Sequence, residues 1–255
     1  MAQGRTPGRR FLASALLLAM ALGAAWALVG HGRDDHRRRD IGLFTSLPIL
    51  WRETDDISGL LNGDASPHWA RATLEAQGRL SPLDTLAGKG GQLPLAPDAL
   101  LVMAQPRPLA PHENVALDDW VRAGGRVLLF ADPMLTAPSA FALGDKRRPQ
   151  DMVLLSPILA RWGLVLQFDD DQPPGERDVP VFGVATPVNL PGRFVAQAAR
   201  CASAADGLAV RCRVGRGAVL ALADAAVLEK DATGGGEDAR RRALIALLEQ
   251  ARDRH

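Results

Sequence analysis

The segment RVLLFADP, Arg126 to Pro133, constrains this chain more than any other. Val127 to Ala131 show none of the polar alternation of a strand with one wet face, and Gly124-Gly125 and Asp132-Pro133 punctuate the run at both ends. Too short for a helix and too apolar for a surface strand, it belongs in a sheet covered on both faces. Ala99 to Ala104 (ALLVMA) and Gly217 to Ala223 (GAVLALA) have the same character. Ile41 to Phe44 (IGLF) reads as a first strand, Arg79 to Asp84 as a weaker second, and Leu164 to Phe168 as a further one.

Helical patterns fall between these strands. Ser66-Pro67 places an N-cap and a first-turn proline ahead of a stretch where Trp69, Ala70, Thr73 and Leu74 share a face and Gly78 marks the end. Pro111 opens a second helix, with Ala116, Leu117, Trp120 and Val121 on one stripe, and Ser156-Pro157 opens a third. Leu244, Leu247, Leu248 and Ala251 mark the last by their i, i+3, i+4, i+7 spacing. Strand, helix and strand in repeated order predict an α/β fold, doubly wound about a mostly parallel sheet. Val179 to Val214 breaks the rhythm and reads as antiparallel strands added at the sheet's edge, with Gly215 to Gly217 as a hairpin turn.

Ahead of this body, Phe11 to Val29 is an uninterrupted apolar run. At about 1.5 Å per residue, a helix of that length covers a hydrocarbon core of about 30 Å. It is a transmembrane anchor or a signal peptide cleaved near Ala25-Trp26-Ala27, and the anchor is favoured because signal-peptide cores run to only about 7 to 15 residues. The chain then divides into a cytoplasmic tail (1–10), a membrane segment (11–29), a basic linker (30–40) and an extracytoplasmic domain (41–255). A large domain after one apolar segment is translocated, so the expected location is the inner membrane, single-pass, with the domain in the periplasm. The net charge of +1, from 30 basic and 29 acidic residues, supplies no field to attract nucleic acid, which is excluded as a partner.

Three stretches taken together, LDDWVRAGGRVLLFADPML (Leu117 to Leu135), LLSPILARWGL (Leu154 to Leu164) and VGRGAVLALAD (Val214 to Asp224), resemble the extracytoplasmic domain of GldG-like proteins, auxiliary components linked to ABC transporters. The shared pattern is a helix ending in Gly-Gly, a strand running into Asp-Pro, a short helix ending in Trp-Gly, and Gly-x-Gly-x-Val leading into a strand that ends in Asp. The likeness covers roughly residues 41 to 230. It implies a class I glutamine amidotransferase-like fold, a flavodoxin-like α/β layer structure. An enzyme of that fold would need a cysteine on a sharp strand-to-helix turn, activated by a nearby histidine. The turn after RVLLFA holds Asp132-Pro133, with no Cys or Ser at its tip.

Five histidines, at positions 31, 36, 68, 112 and 255, show no metal spacing, and no Cys-x-x-Cys occurs, so no metal or other cofactor is expected. His68 and His112 fall at predicted helix starts and read as surface or capping residues. What remains is an acidic and hydroxyl-bearing rim. If the strands are parallel, Thr45, Ser46, Asp84, Asp132 and Asp224 all come at or just beyond carboxyl ends, where ligands bind in open α/β sheets. Carboxylates there can bind a cation, a sugar or a basic peptide, or one can act as a general base. The competing reading is that each caps the turn or helix after its strand.

The two cysteines lie in RCASAADGLAVRC, around Asp206-Gly207, a pair preferred in two-residue type I′ hairpin turns. If that pair is the turn, Ala205 opposes Leu208 and Cys201 opposes Cys212, at about 5.5 Å in a hydrogen-bonded pair, a separation that a disulfide spans. An oxidising compartment favours the bridge over two free thiols.

Two functions follow. The first is a non-enzymatic, membrane-anchored auxiliary module of an ABC-type transport or envelope complex, with the inner membrane and a transporter permease or other envelope subunits as partners. The alternative is an extracytoplasmic hydrolase using the carboxylate rim.

Overall fold

The computed structural model describes residues 40–51, 68–230 and 236–253. In chain order its elements are β1 (Asp40–Thr45), α1 (Trp69–Gln77), β2 (Arg79–Pro82), β3 (Leu100–Ala104), α2 (Pro111–Arg122), β4 (Arg126–Phe130) and α3 (Ser156–Trp162). There follow β5 (Leu164–Gln167), β6 (Arg177–Val181), β7 (Val184–Val188), β8 (Arg193–Ala196), β9 (Cys201–Ala204), β10 (Ala209–Val214), β11 (Gly217–Leu222) and α4 (Glu237–Arg252). The main sheet has seven strands in the order β2-β1-β3-β4-β11-β10-β9. Its first five are mutually parallel, and β10 and β9 add antiparallel strands at one edge. The fold is mixed α/β with a mostly parallel sheet and antiparallel hairpins.

Uniformly apolar strands are buried on both faces because side chains alternate about the pleat. In β3, Leu100, Val102 and Ala104 join the layer formed with Trp69, Ala70 and Leu74 of α1 and Leu244, Leu247 and Leu248 of α4. Leu101 and Met103 point the other way, into the layer containing Leu117, Trp120 and Val121 of α2 and Ile158, Leu159 and Trp162 of α3. Full burial of each such side chain contributes about 1.5 to 3 kcal/mol, so the central strands hold the sheet and the loops beyond them rigid.

Two parts of the expected pattern differ. Leu164 to Gln167 does not join the main sheet; it pairs antiparallel with β8 in a two-stranded unit of its own. Only Leu164 of that strand is buried, so it lacks the second apolar face that a central strand requires. Within Val179 to Val214, β6 and β7 form another separate pair, and only β9 and β10 extend the main sheet. The first helix begins at Trp69 with His68 as its cap, the imidazole Nδ1 accepting the Ala70 N–H at 3.2 Å. Ser66-Pro67, expected to open that helix, lie outside the described residues. In α3 the cap position is Leu155 rather than Ser156, and Gly163 closes the helix in the left-handed region (φ 77°).

The cysteine hairpin follows the expected register: Ala209 pairs with Ala204, Arg211 with Ala202, and Cys212 with Cys201. The Leu208 N–H donates to the Ala205 carbonyl across Asp206 (φ 53°) and Gly207 (φ 88°), as the type I′ assignment requires. Cys201 and Cys212 form a disulfide, with Cα atoms 4.0 Å apart. That spacing is shorter than expected because the pair is a non-hydrogen-bonded one: the flanking Arg213 N–H donates to the Arg200 carbonyl instead. Among the described residues no helix is long and apolar enough to cross a membrane. The apolar run 11–29, its alternative cleavage site and the linker before Asp40 lie outside them.

Candidate functional site

All five parallel strands end on one edge, and the loops leaving that edge make the site. Thr45, the last residue of β1, donates its hydroxyl to the Ala104 carbonyl at 2.8 Å and accepts the Leu47 N–H at 2.9 Å. Ser46 donates to the Gln105 carbonyl at 2.5 Å and accepts the Gln150 N–H at 3.0 Å. Both hydroxyls therefore tie loops together. The sharp turn of this edge lies after β3, where Gln105 has a positive φ of 43°, and not at Asp132-Pro133 after β4. Its buried amide donates to the carbonyls of Asp132 (3.0 Å) and Gln150 (2.8 Å) and accepts the Asp132 N–H (2.9 Å). An amide at that turn is a bracket, not a nucleophile.

Asp132 and Asp224 come from adjacent strands and are both fully buried. Asp132 accepts backbone N–H bonds from Met134 (2.8 Å) and Ala225 (3.1 Å), and Asp224 from Ala226 (2.6 Å) and Asn189 (2.9 Å). Each thus closes the turn after its own strand and, at the same time, ties it to a neighbouring loop. Burial pushes the Asp132 carboxyl up to about 6, the two backbone bonds only partly offsetting it. Burial also pushes Asp224 well above the ordinary range, and the neighbouring Asp132 charge adds to the shift.

A third carboxyl completes the group. Glu229 lies beyond β11, and burial together with the Asp132 charge raises it to about 7, against the opposing pull of the Arg240 guanidinium. A hydrogen-bond chain connects it to Asp224: the Asn189 N–H donates to Asp224, the Asn189 side-chain amide to Thr136 Oγ1 at 3.0 Å, and that hydroxyl to Glu229 Oε1 at 3.4 Å. Unlike the two aspartates, Glu229 reaches a cavity. It lines a cleft of about 300 Å³ with Leu47, Pro48, His68, Pro138 and Lys230. Because His68 Nδ1 accepts a backbone N–H, its proton resides on Nε2. Burial, helped by the Lys230 charge, lowers its pKa to about 4, so the ring is neutral at pH 7. A carboxyl raised to about 7 and a neutral imidazole therefore line one cleft.

Asp84 does not belong with them. It follows β2, the outermost strand, three strand positions from β4, which at about 4.8 Å per strand is roughly 14 Å away. Its backbone carbonyl accepts from Arg107, whose guanidinium also pairs with the buried Glu113 at 2.8 Å. The five-residue rim is thus corrected to three parts: Thr45 and Ser46 in loop bracing, Asp132 and Asp224 in a buried pair, and Asp84 outside. Glu229, His68, Asn189 and Thr136 complete the site and carry no motif in the sequence; only the capping expectation for His68 touched any of them.

No protein-family model and no curated protein matches the sequence. Solved structures resemble it at low identity. The exo-β-1,4-mannosidase Op5Man5 from Opitutaceae bacterium strain TAV5 is similar at 13% identity and a TM-score of 0.49, over 83% of this chain and 36% of that one. Gan42B, a GH42 β-galactosidase from G. stearothermophilus, is similar at 11% identity and 0.47, over 84% and 30%. The mmIFT52 N-terminal domain is similar at 8% and 0.44, over 84% and 97%. This chain spans about a third of the length of the two glycosidases. The first functional expectation, a non-enzymatic auxiliary module of an ABC-type transport complex, is corrected in favour of its alternative: glycoside hydrolases stand among the similar structures. The hydrolase alternative is taken up on the geometry of the site alone.

Proposed function

We propose that the protein is an extracytoplasmic hydrolase acting on an uncharged substrate, with Glu229 as its general acid and base. The observation that carries this reading is the placement of Glu229 and His68 on one cleft at the carboxyl edge of the sheet. In its ionised form Glu229 takes a proton from the attacking water, and the His68 Nε2–H donates to the oxygen on which negative charge develops. The proton then passes from Glu229 to the leaving group, so that water is added across one bond. Asp132 and Asp224, fully buried and each bonded to two backbone donors, touch no substrate; Asp132 is a positioning residue whose charge, with burial, keeps Glu229 near neutrality, and Asp224 braces the loop that carries Asn189. The reading departs from the expectation of a non-enzyme. Turnover of a panel of neutral p-nitrophenyl esters and glycosides tests it. Wild-type protein is expected to hydrolyse at least one with a pH profile turning near 7, and Glu229→Gln to be slower by about 100-fold or more. Absence of turnover with every member, or turnover undiminished by Glu229→Gln, overturns it.

The same reading places the domain outside the cytoplasm, held by residues 11–29 to the inner membrane. The Cys201–Cys212 bridge supports this, since such bonds persist in oxidising compartments. The strand order β2-β1-β3-β4-β11 supports the flavodoxin-like, class I glutamine amidotransferase-like assignment suggested by the GldG-like resemblance.

A further inference from the structure

Which bond the Glu229 cleft can break depends on the sign of the charge that its walls stabilise. Hydrolysis of a glycoside passes through an oxocarbenium-like transition state, in which positive charge grows on the sugar ring. Hydrolysis of an ester passes instead through a tetrahedral species, in which negative charge grows on the former carbonyl oxygen. Among the described residues, His68 and Lys230 are the polar side chains that line the cleft beside Glu229. The imidazole carries its proton on Nε2 and so supplies a donor, and the Lys230 ammonium acts on that ring, helping to lower its pKa. A donor and a cation both stabilise a developing oxyanion. The cation opposes a developing oxocarbenium ion.

The other walls say what flanks the reacting bond. Leu47, Pro48, Ala137, Pro138, Pro149 and Leu228 line the cleft, and the three prolines have no backbone N–H to give. A sugar ring would set hydroxyls against this carbon surface and lose their hydrogen bonds to water, whereas an alkyl chain gains by leaving water. The volume of about 300 Å³ lies at the lower end for small-molecule sites, which suits a short chain rather than a lipid tail. We propose that the substrate is a carboxylic ester with a short apolar acyl group, its carbonyl oxygen toward His68 and Lys230 and its acyl chain against the prolines. Water adds to the carbonyl carbon as Glu229 takes its proton; the bond from that carbon to the alcohol oxygen then breaks, and the alcohol leaves with the proton from Glu229. One ester and one water become a carboxylic acid and an alcohol. An alcohol leaves more readily than an amine anion, so a water activated by one carboxylate suffices for the ester. This substrate class rests on the hydrolase reading and narrows it.

Steady-state kinetics of the full chain on p-nitrophenyl butyrate, p-nitrophenyl laurate and two p-nitrophenyl glycosides, each rate taken above that of Glu229→Gln, test the proposal. The butyrate is expected to have a kcat/KM at least about 100-fold above the laurate and the glycosides. Lys230 is exposed, so its replacement leaves the core intact. Lys230→Met is expected to lower kcat for the butyrate about 10-fold with KM unchanged, as loss of a charge felt in the transition state requires, and Lys230→Arg to restore most of the rate. Turnover of a glycoside with the esters left intact overturns the ester and keeps the hydrolase. Laurate turned over as well as butyrate overturns the short acyl group, and a Lys230→Met variant as fast as wild type overturns the placement of the oxyanion. Absence of turnover with every substrate defeats the hydrolase reading itself, and the ester falls with it.

Discussion

A carboxyl that folding buries holds its proton more tightly than the unfolded chain does, and the sign of its effect on stability follows. Asp132, Asp224 and Glu229 all have raised pKa values in the folded protein, Asp132 about 6 and Glu229 about 7. The contributions of Asp132 and Glu229 are fully present below pH 4 and are lost as pH rises through about 6 and about 7, on the order of 3 kcal/mol for Asp132 alone. His68, lowered to about 4, acts in the opposite sense, and its contribution is lost as pH falls from about 6.5 toward 4. Denaturant unfolding between pH 4 and 7 should therefore show a shallower decline in Asp132→Asn than in wild type; an unchanged slope would mean that Asp132 titrates normally. The variant also sets an amide donor against a backbone N–H and should be less stable at every pH. Asp132 and Asp224 were legible in the sequence because each ends an apolar strand. Glu229 was not, because an acid a few residues past Asp224 carries no periodic signal, and its apolar surroundings come from Leu47, Pro48 and Pro138, far away in the chain.

At the scale of elements, short-range chemistry decided most of what could be read in advance. The turn pair Asp206-Gly207 set the register of β9 against β10, and the register brought the cysteines together. Replacing both with alanine should cost on the order of 2 to 3 kcal/mol in chemical denaturation; a loss near zero would show that the hairpin needs no staple. Gly207→Ala should be similarly costly, because the position has φ 88° and a Cβ there would come within 2.7 Å of the Phe194 carbonyl. Retention of wild-type stability would contradict that close approach. β5 forms as the strand its composition predicts, but which partner a strand takes depends on whether both of its faces are apolar, and only Leu164 is buried, so it pairs with β8 outside the main sheet.

Across the whole molecule, the parallel order β2-β1-β3-β4-β11 gathers strand ends on one edge and strand starts on the other. Pattern alone predicted that sheet and the burial of its central strands, since apolar runs leave few alternatives. It could not show which end residues would converge. Asp84 falls on an outer strand and separates from Asp132, whereas His68, preceding α1, is carried into the same cleft as Glu229. The central claim is that this edge holds a carboxyl able to exchange protons at neutral pH. Isotope-edited infrared titration of glutamate carboxyls, using Glu229→Gln to assign the band, measures it directly. A midpoint near 7 that moves down in Asp132→Asn is predicted, and a midpoint in the ordinary carboxylate range, indifferent to Asp132, would contradict the account.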